Sequence, residues 1–285
     1  MREGDRPPDP GLAAKPRPTP PIDPELGVAL EALGDEARQP YTPGNLASRR
    51  RRDATARPRP TLRELRADGR FEVVELRAPG APGTRDVTLV SARPAGIAGP
   101  LPVLYYMHGG GMITGNARSV LPRPLRAWSE PLQPAVVSVE YGPAPEATYP
   151  GPVEDCCAGL VRVAAHAAAL GIDAERIVIG GKSAGGGLAA ALALLTRDRN
   201  GPAPIGQLLV CPMLDDRNDT FSGPGRRPRW AGAVPDGRRG AATRLRRRGH
   251  GAGGPRFARR AARCGRRPRR EASPAALVSS RAVAR

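Results

Sequence analysis

The apolar run Ile177-Val178-Ile179 leads through Gly180 into Gly181-Lys182-Ser183-Ala184-Gly185, followed at once by Gly186-Gly187-Leu188-Ala189-Ala190-Ala191-Leu192. This order predicts a strand, a sharp turn and a helix, with Ser183 at the bend. A turn that tight leaves no room for side chains on either side of the serine, so glycines flank it. The Ser183 hydroxyl is thereby held above the sheet at a helix N-terminus, where free N–H groups and the positive dipole end favour developing negative charge. Ser183 is the candidate nucleophile.

A second element lies upstream. His108-Gly109-Gly110-Gly111 follows the strand-like run Leu101-Pro102-Val103-Leu104-Tyr105-Tyr106-Met107. A glycine-rich loop after a strand lets backbone amides approach a substrate oxygen, and the H-G-G-G form ahead of a G-x-S-x-G bend is an oxyanion-hole pattern. The candidate donors are the N–H groups of Gly109, Gly110 and Ala184, with His108 and Gly111 supporting the loop. Either motif alone is weak; together and in this order they are specific.

The remaining pattern places both motifs in an α/β architecture. Residues 1–21 are rich in Pro and charge and are expected to be disordered. Residues 22–33 have helical apolar spacing, with Asp23 as N-cap and Pro24 at the first helical position. Residues 61–66 read as a second short helix, and the basic run Arg49-Arg50-Arg51-Arg52 between them reads as a solvated helix face or loop. Alternation over 71–77 and 87–90 predicts an antiparallel pair of strands. Buried parallel strands are expected at 101–107, 135–140, 176–180 and 206–211. Helices are expected at about 152–170, ended by Gly171, and at 184–198. Four prolines between 118 and 134 leave room for only a short helix near 123–130. The fold class is therefore α/β, with a doubly wound, mostly parallel sheet.

Charge divides the chain. Residues 1–221 carry 26 basic and 25 acidic side chains, a net of +1; residues 222–285 carry 19 arginines and two acids, Asp236 and Glu271, a net of +17. The +18 of the whole chain therefore belongs to an Arg/Gly/Pro/Ala-rich tail, expected to be disordered. That composition, with 43 arginines and 2 lysines overall, matches out-of-frame reading of GC-rich DNA, which is the preferred explanation of the tail. A genuine nucleic-acid-binding extension is the alternative; it would neutralise phosphates, but Trp230 and Phe257 are its only aromatics, too few for base stacking.

Other function classes find little support. The longest apolar stretch, centred on 188–195, is too short to span a membrane, and residues 1–8 lack the apolar segment of a signal peptide. The cysteines are Cys156, Cys157, Cys211 and Cys264, without a C-x-x-C pair, and are expected to be buried, reduced thiols of a cytoplasmic protein. No cluster has metal-ligand spacing, and no cofactor is implied. Gly181-Lys182-Ser183 resembles the end of a phosphate-binding loop, but the required first glycine is Arg176.

The chain resembles the hormone-sensitive-lipase-like bacterial esterases and acetylhydrolases of the α/β-hydrolase fold. Four stretches carry the resemblance: His108–Met112; Val137-Ser138-Val139-Glu140-Tyr141 with Ala144-Pro145-Glu146 and Tyr149-Pro150; the Ser183 bend; and Gln207 to Asp215. It covers roughly residues 20–221. It implies hydrolysis of carboxylic esters with short or medium acyl chains. It further implies a hydrolase domain over 22–221 in which 22–70 form cap helices over the acyl pocket. Two departures are local: Tyr141-Gly142-Pro143-Ala144-Pro145-Glu146 replaces the family's Tyr-Arg-Leu-Ala-Pro-Glu, and Lys182 stands where an acid is usual.

A serine hydroxyl needs a base, and the family's order is serine, then acid, then histidine. His166 lies on a helix before the nucleophile and reads as a surface histidine. His250 is the only histidine after Ser183, and Asp236 and His250 are in the right order; the interval between them hardly admits the intervening strand and helix, and neighbouring arginines oppose an imidazolium. The C-terminal part of the fold is thus expected to be missing or disordered, and activity to be impaired. Glu146 and Asp155 are expected to make structural hydrogen bonds. Three outcomes remain open at this point: an impaired ester hydrolase acting on a small ester, a non-catalytic small-molecule binder of the same fold, and non-specific nucleic-acid binding through the tail. Oligomeric state is not encoded in these patterns.

Overall fold

The computed structural model describes residues 22–32, 34, 41–80 and 83–214. The expected tail over 222–285, the expected disorder of 1–21, and Asp236, His250 and Cys264 lie outside the described residues.

Among the described residues, six strands form one sheet in the order β1-β2-β4-β3-β5-β6. They are β1 Phe71–Ala78, β2 Val87–Pro94, β3 Leu101–Met107, β4 Ala135–Glu140, β5 Ile172–Lys182 and β6 Gly206–Val210. β1 pairs antiparallel with β2, and β2 with β4; the other three pairings are parallel. The mostly parallel sheet is therefore present, with its antiparallel edge where the alternating pattern had put it. β5 starts earlier than expected. Gly171, at φ +62°, turns the chain sharply enough for Ile172 to pair with Leu101 across a register shift.

The helices among the described residues are α1 Pro24–Ala32, α2 Leu46–Ala56, α3 Leu62–Leu65, α4 Ala117–Val120, α5 Pro122–Pro124, α6 Glu130–Leu132, α7 Gly151–Ala165 and α8 Ala184–Asp198, with a π turn at Leu125–Ser129. The Asp23 carboxylate accepts from the Glu25 amide at 2.9 Å, as an N-cap does. Thr61 and Glu64 close a reciprocal capping box that starts α3. The single short helix expected near 123–130 is instead a broken helical path from 117 to 132. Pro122 and Pro131 stand in the first turn of their helices, where a missing N–H costs nothing, and the π turn absorbs the mismatch. α7 is shorter than expected: regular helix stops at Ala165, and hydrogen-bonded turns carry the chain to Gly171.

Alternating side chains of the sheet enter two separate cores. Val103, Tyr105 and Met107 of β3 face α7 and α8, together with Leu89, Val137, Ile177 and Ile179. Leu104 and Tyr106 of the same strand face the opposite layer, against Leu65 of α3, Leu121 and the π turn's Leu125. Helices thus cover both faces, and the carboxyl ends of β3 and β5, buried on both sides, meet at one rim. Cys156 and Cys157 are buried as expected, whereas Cys211 is exposed: it sits just past β6 with φ +47°, outside either core.

Candidate active site

β5 ends at Lys182, α8 begins at Ala184, and Ser183 alone makes the bend, with φ 57° and ψ −116°. A non-glycine residue in that region carries about 1–3 kcal/mol of backbone strain. Its surroundings hold it there. The Ser183 amide donates to the Val210 carbonyl at 2.8 Å, and its own carbonyl accepts from Gly187 and Met213, each at 3.1 Å. A Cβ on Gly181 would overlap the Gly185 backbone. One on Gly185 would overlap the Met107 carbonyl oxygen and lie 2.5 Å from that of His108. Both glycines of the pentapeptide are there for close approach of backbone to backbone.

The loop 108–115 lies against this bend. A Cβ on Gly109 would stand 3.5 Å from the Ser183 Cβ and 2.9 Å from the Lys182 carbonyl oxygen. Gly110, at φ +123°, accepts at its carbonyl from Ile113 and Thr114, both at 3.0 Å, which curls the loop. The amides of Gly109 and Gly110 donate to no acceptor among the described residues. Ala184, the first residue of α8, has no intrahelical acceptor for its N–H. The Ala184 N–H adjoins the serine, and Gly109 lies in the loop packed against it.

One aromatic stack and two hydrogen bonds fix the loop from behind. His108 is 3% exposed. Its Nδ1 lies 2.9 Å from the Gly109 carbonyl oxygen, and its ring stacks on Tyr141 with centroids 4.1 Å apart. The Tyr141 hydroxyl donates to the His108 carbonyl at 2.8 Å. Burial pushes the His108 pKa down and the Tyr141 pKa up, so both rings are neutral at pH 7. Nδ1–H then donates to Gly109. Nε2 is left buried with no partner among the described residues. Tyr141 appeared in the sequence only as part of a motif; its grip on His108 is visible only once β3 and β4 lie side by side.

The basic run did not behave as one solvated surface. Residues 49–52 lie within α2, and Arg50 turns inward, its side chain 28% exposed. Its guanidinium donates to both carboxylate oxygens of Glu146, at 2.6 and 2.8 Å, and to the carbonyls of Ile113 and Ala144. Arg49 lies over the Tyr41 ring at 4.5 Å. Nothing in four consecutive arginines singles out Arg50, since its partners are more than 60 residues away. Glu146 and Asp155 do make structural contacts: Asp155 accepts from the Gly142 amide at 2.8 Å and from Arg85 at 3.2 Å.

The hydrogen bond from Arg50 holds the Glu146 carboxyl below its ordinary value of 4.5. A carboxylate depressed in the folded state stabilises above its unfolded value, and that contribution is lost as pH falls through the folded one. Glu146→Gln is expected to cost less than about 1 kcal/mol at pH 7, because the pair is partly exposed. The gap to wild type should close as pH drops below 4.5, measured by urea unfolding at stepped pH. A gap independent of pH would exclude the ionic contribution.

Ser183, the Gly109–Gly111 loop and Tyr106 open onto a cavity of about 850 Å³. Tyr41, Asp53 and Arg57 reach it from the α2 side, and Arg123 from α5. Lys182 is exposed at its margin. His166 is elsewhere, its Nδ1 3.0 Å from the Arg162 carbonyl. No group of three or more His, Cys, Asp or Glu among the described residues is arranged to hold a metal, and no described helix is long and apolar enough to cross a membrane.

Comparison with known proteins places these features in company. The family profile described as alpha/beta hydrolase fold matches residues 104–234. Carboxylesterase NlhH of Mycobacterium tuberculosis is 36% identical over 191 residues, 66% of this chain and 57% of that protein. Human hormone-sensitive lipase is 34% identical over 110 residues, 39% of this chain and 10% of that protein. Among solved structures, a bacterial heroin esterase superposes with a TM-score of 0.64 at 36% identity, covering 77% of this chain and 70% of its own. The esterase of Pyrobaculum calidifontis gives 0.57 at 28% identity, covering 69% and 60%. The chain thus spans little more than half of the carboxylesterase, and less of the other curated relatives.

Proposed function

Because the chain belongs to the alpha/beta hydrolase family, we propose that it hydrolyses carboxylic esters through Ser183. The Ser183 oxygen adds to the ester carbonyl carbon, and its proton passes to a base. The amides of Gly109, Gly110 and Ala184 receive the carbonyl oxygen as it becomes anionic, while His108 and Gly111 shape the loop that presents them. Collapse of the tetrahedral intermediate expels the alcohol with a proton. Water then attacks the acyl-serine; the serine oxygen leaves with a proton, regenerating the hydroxyl and releasing the carboxylic acid. What supports this most is the strained Ser183 backbone set directly against Gly109 at the rim of a large cavity.

The base and acid belong C-terminal to Ser183 in this family's order, and Asp236 and His250 are poor occupants of those roles. Turnover is therefore proposed to be low, resting on the amide donors and on binding. A serine site stripped of its triad retains roughly 10³–10⁴-fold over water.

The test is a fluorophosphonate probe followed by intact-protein mass, alongside hydrolysis of p-nitrophenyl butyrate. A slow, single adduct on Ser183, absent in Ser183→Ala and unchanged in His250→Ala, is expected. Fast labelling that His250→Ala abolishes would restore a complete triad. No Ser183-dependent adduct at all would make the cavity a binding site without serine chemistry.

A further inference from the structure

Among the described residues, the charges lining the cavity do not cancel. The ionised side chains among them are Asp53, Arg57, Arg123 and Lys182. Asp53 and Arg57 stand one turn apart on α2 and its C-cap, paired at 3.5 Å, and offset each other. Arg123 and Lys182 have no ion pair among the described residues. Asn116 and Ser119, which also line the cavity, are neutral, and they spend their groups on each other and on the α4 cap: the Asn116 amide donates to the Ser119 hydroxyl at 2.7 Å. The Arg123 guanidinium also bears electrostatically on the Tyr106 phenol, which lies two residues before His108 on β3. A cation is therefore carried on the same wall as the serine's loop, with apolar Val120 and Pro124 beside it.

We propose that the ester bound here carries a free carboxylate, taken by Arg123 with Lys182 adding to the attraction. The substrate class is the half-ester of a dicarboxylic acid. This deepens the reading of Ser183 as the site of ester attack and rests on it for the word substrate, though not for the binding itself. The guanidinium fork matches a carboxylate through two parallel N–H···O bonds. A neutral ester offers the cation no such charge-assisted pairing. A cavity of about 850 Å³ readily holds a small half-ester with the carbonyl at Ser183 and the carboxylate toward α5.

The experiment separates binding from chemistry. The full chain carrying Ser183→Ala is titrated with monoethyl glutarate and with diethyl glutarate, followed by ligand-detected NMR. At low ionic strength the half-ester is expected to bind about fivefold tighter, the worth of a partly exposed charge pair. At about 1 M salt, where screening reaches about 3 Å, the preference should vanish. Arg123→Gln should remove most of it, and Arg123→Lys should keep part. Equal or weaker binding of the half-ester, no binding of it, or a preference that survives Arg123→Gln overturns the inference. A preference for the half-ester without any adduct on Ser183 in the wild type would leave this inference standing and remove the hydrolase reading. The adduct without the preference would do the reverse.

Discussion

Gly185→Ala is expected to cost about 3 kcal/mol and to eliminate the Ser183 adduct. Overpacking of a rigid site costs about 1–3 kcal/mol and sometimes more, and here the new methyl group meets backbone rather than flexible side chains. It would overlap the carbonyl oxygen of Met107 and stand 2.5 Å from that of His108. Relief requires α8 to move away from β3, which separates Ser183 from the loop bearing Gly109 and Gly110. Two other glycines calibrate the effect. A Cβ on Gly186 would stand 3.0 Å from Pro212, so Gly186→Ala should be milder. Gly27, inside α1, has nothing within 4 Å of that position, so alanine there should stabilise by about 0.5–1 kcal/mol through helix propensity. Urea midpoints for the three variants give the order directly. A Gly185→Ala midpoint at the wild-type value would mean that the bend does not lie against β3 as described.

Tyr141→Ala is expected to cost about 3–5 kcal/mol, the usual range for truncating a buried aromatic, and to slow labelling of Ser183. The ring is fully buried, stacks on His108, and anchors that residue's carbonyl through its hydroxyl. Its loss opens a cavity directly behind the loop that carries two of the three proposed amide donors. Tyr141→Phe keeps the stack and loses one hydrogen bond, so about 1 kcal/mol is expected, with labelling close to wild type. If Tyr141→Ala unfolds early but its remaining folded fraction labels at the wild-type rate, the ring stabilises the domain without positioning the loop.

The two glycine-rich motifs were legible because their physics is local. A strand running into a bend needs small residues at that bend, whatever the rest of the chain does, and Gly181 and Gly185 satisfy that within five positions. The strand limits Leu101–Met107 and Ala135–Glu140 likewise followed from apolar runs between turn residues. Boundaries failed where distant pairing decided them. β5 begins at Ile172 because Leu101 is there to pair with it, and the proline-rich path from 117 to 132 stays helical because Leu121 and Leu125 bury against the sheet.

By itself, then, the sequence determined the α/β layout, the serine at a forced bend and the glycine loop ahead of it, since each is encoded in consecutive residues. The tertiary structure decided that Arg50, within a run of four arginines, clamps Glu146, that Tyr141 holds His108, and that Arg123 lines the cavity without an ion pair among the described residues. Those roles depend on which strands and loops lie side by side. Tertiary packing brings together residues 33 to 96 positions apart, and no spacing along the chain carries that information.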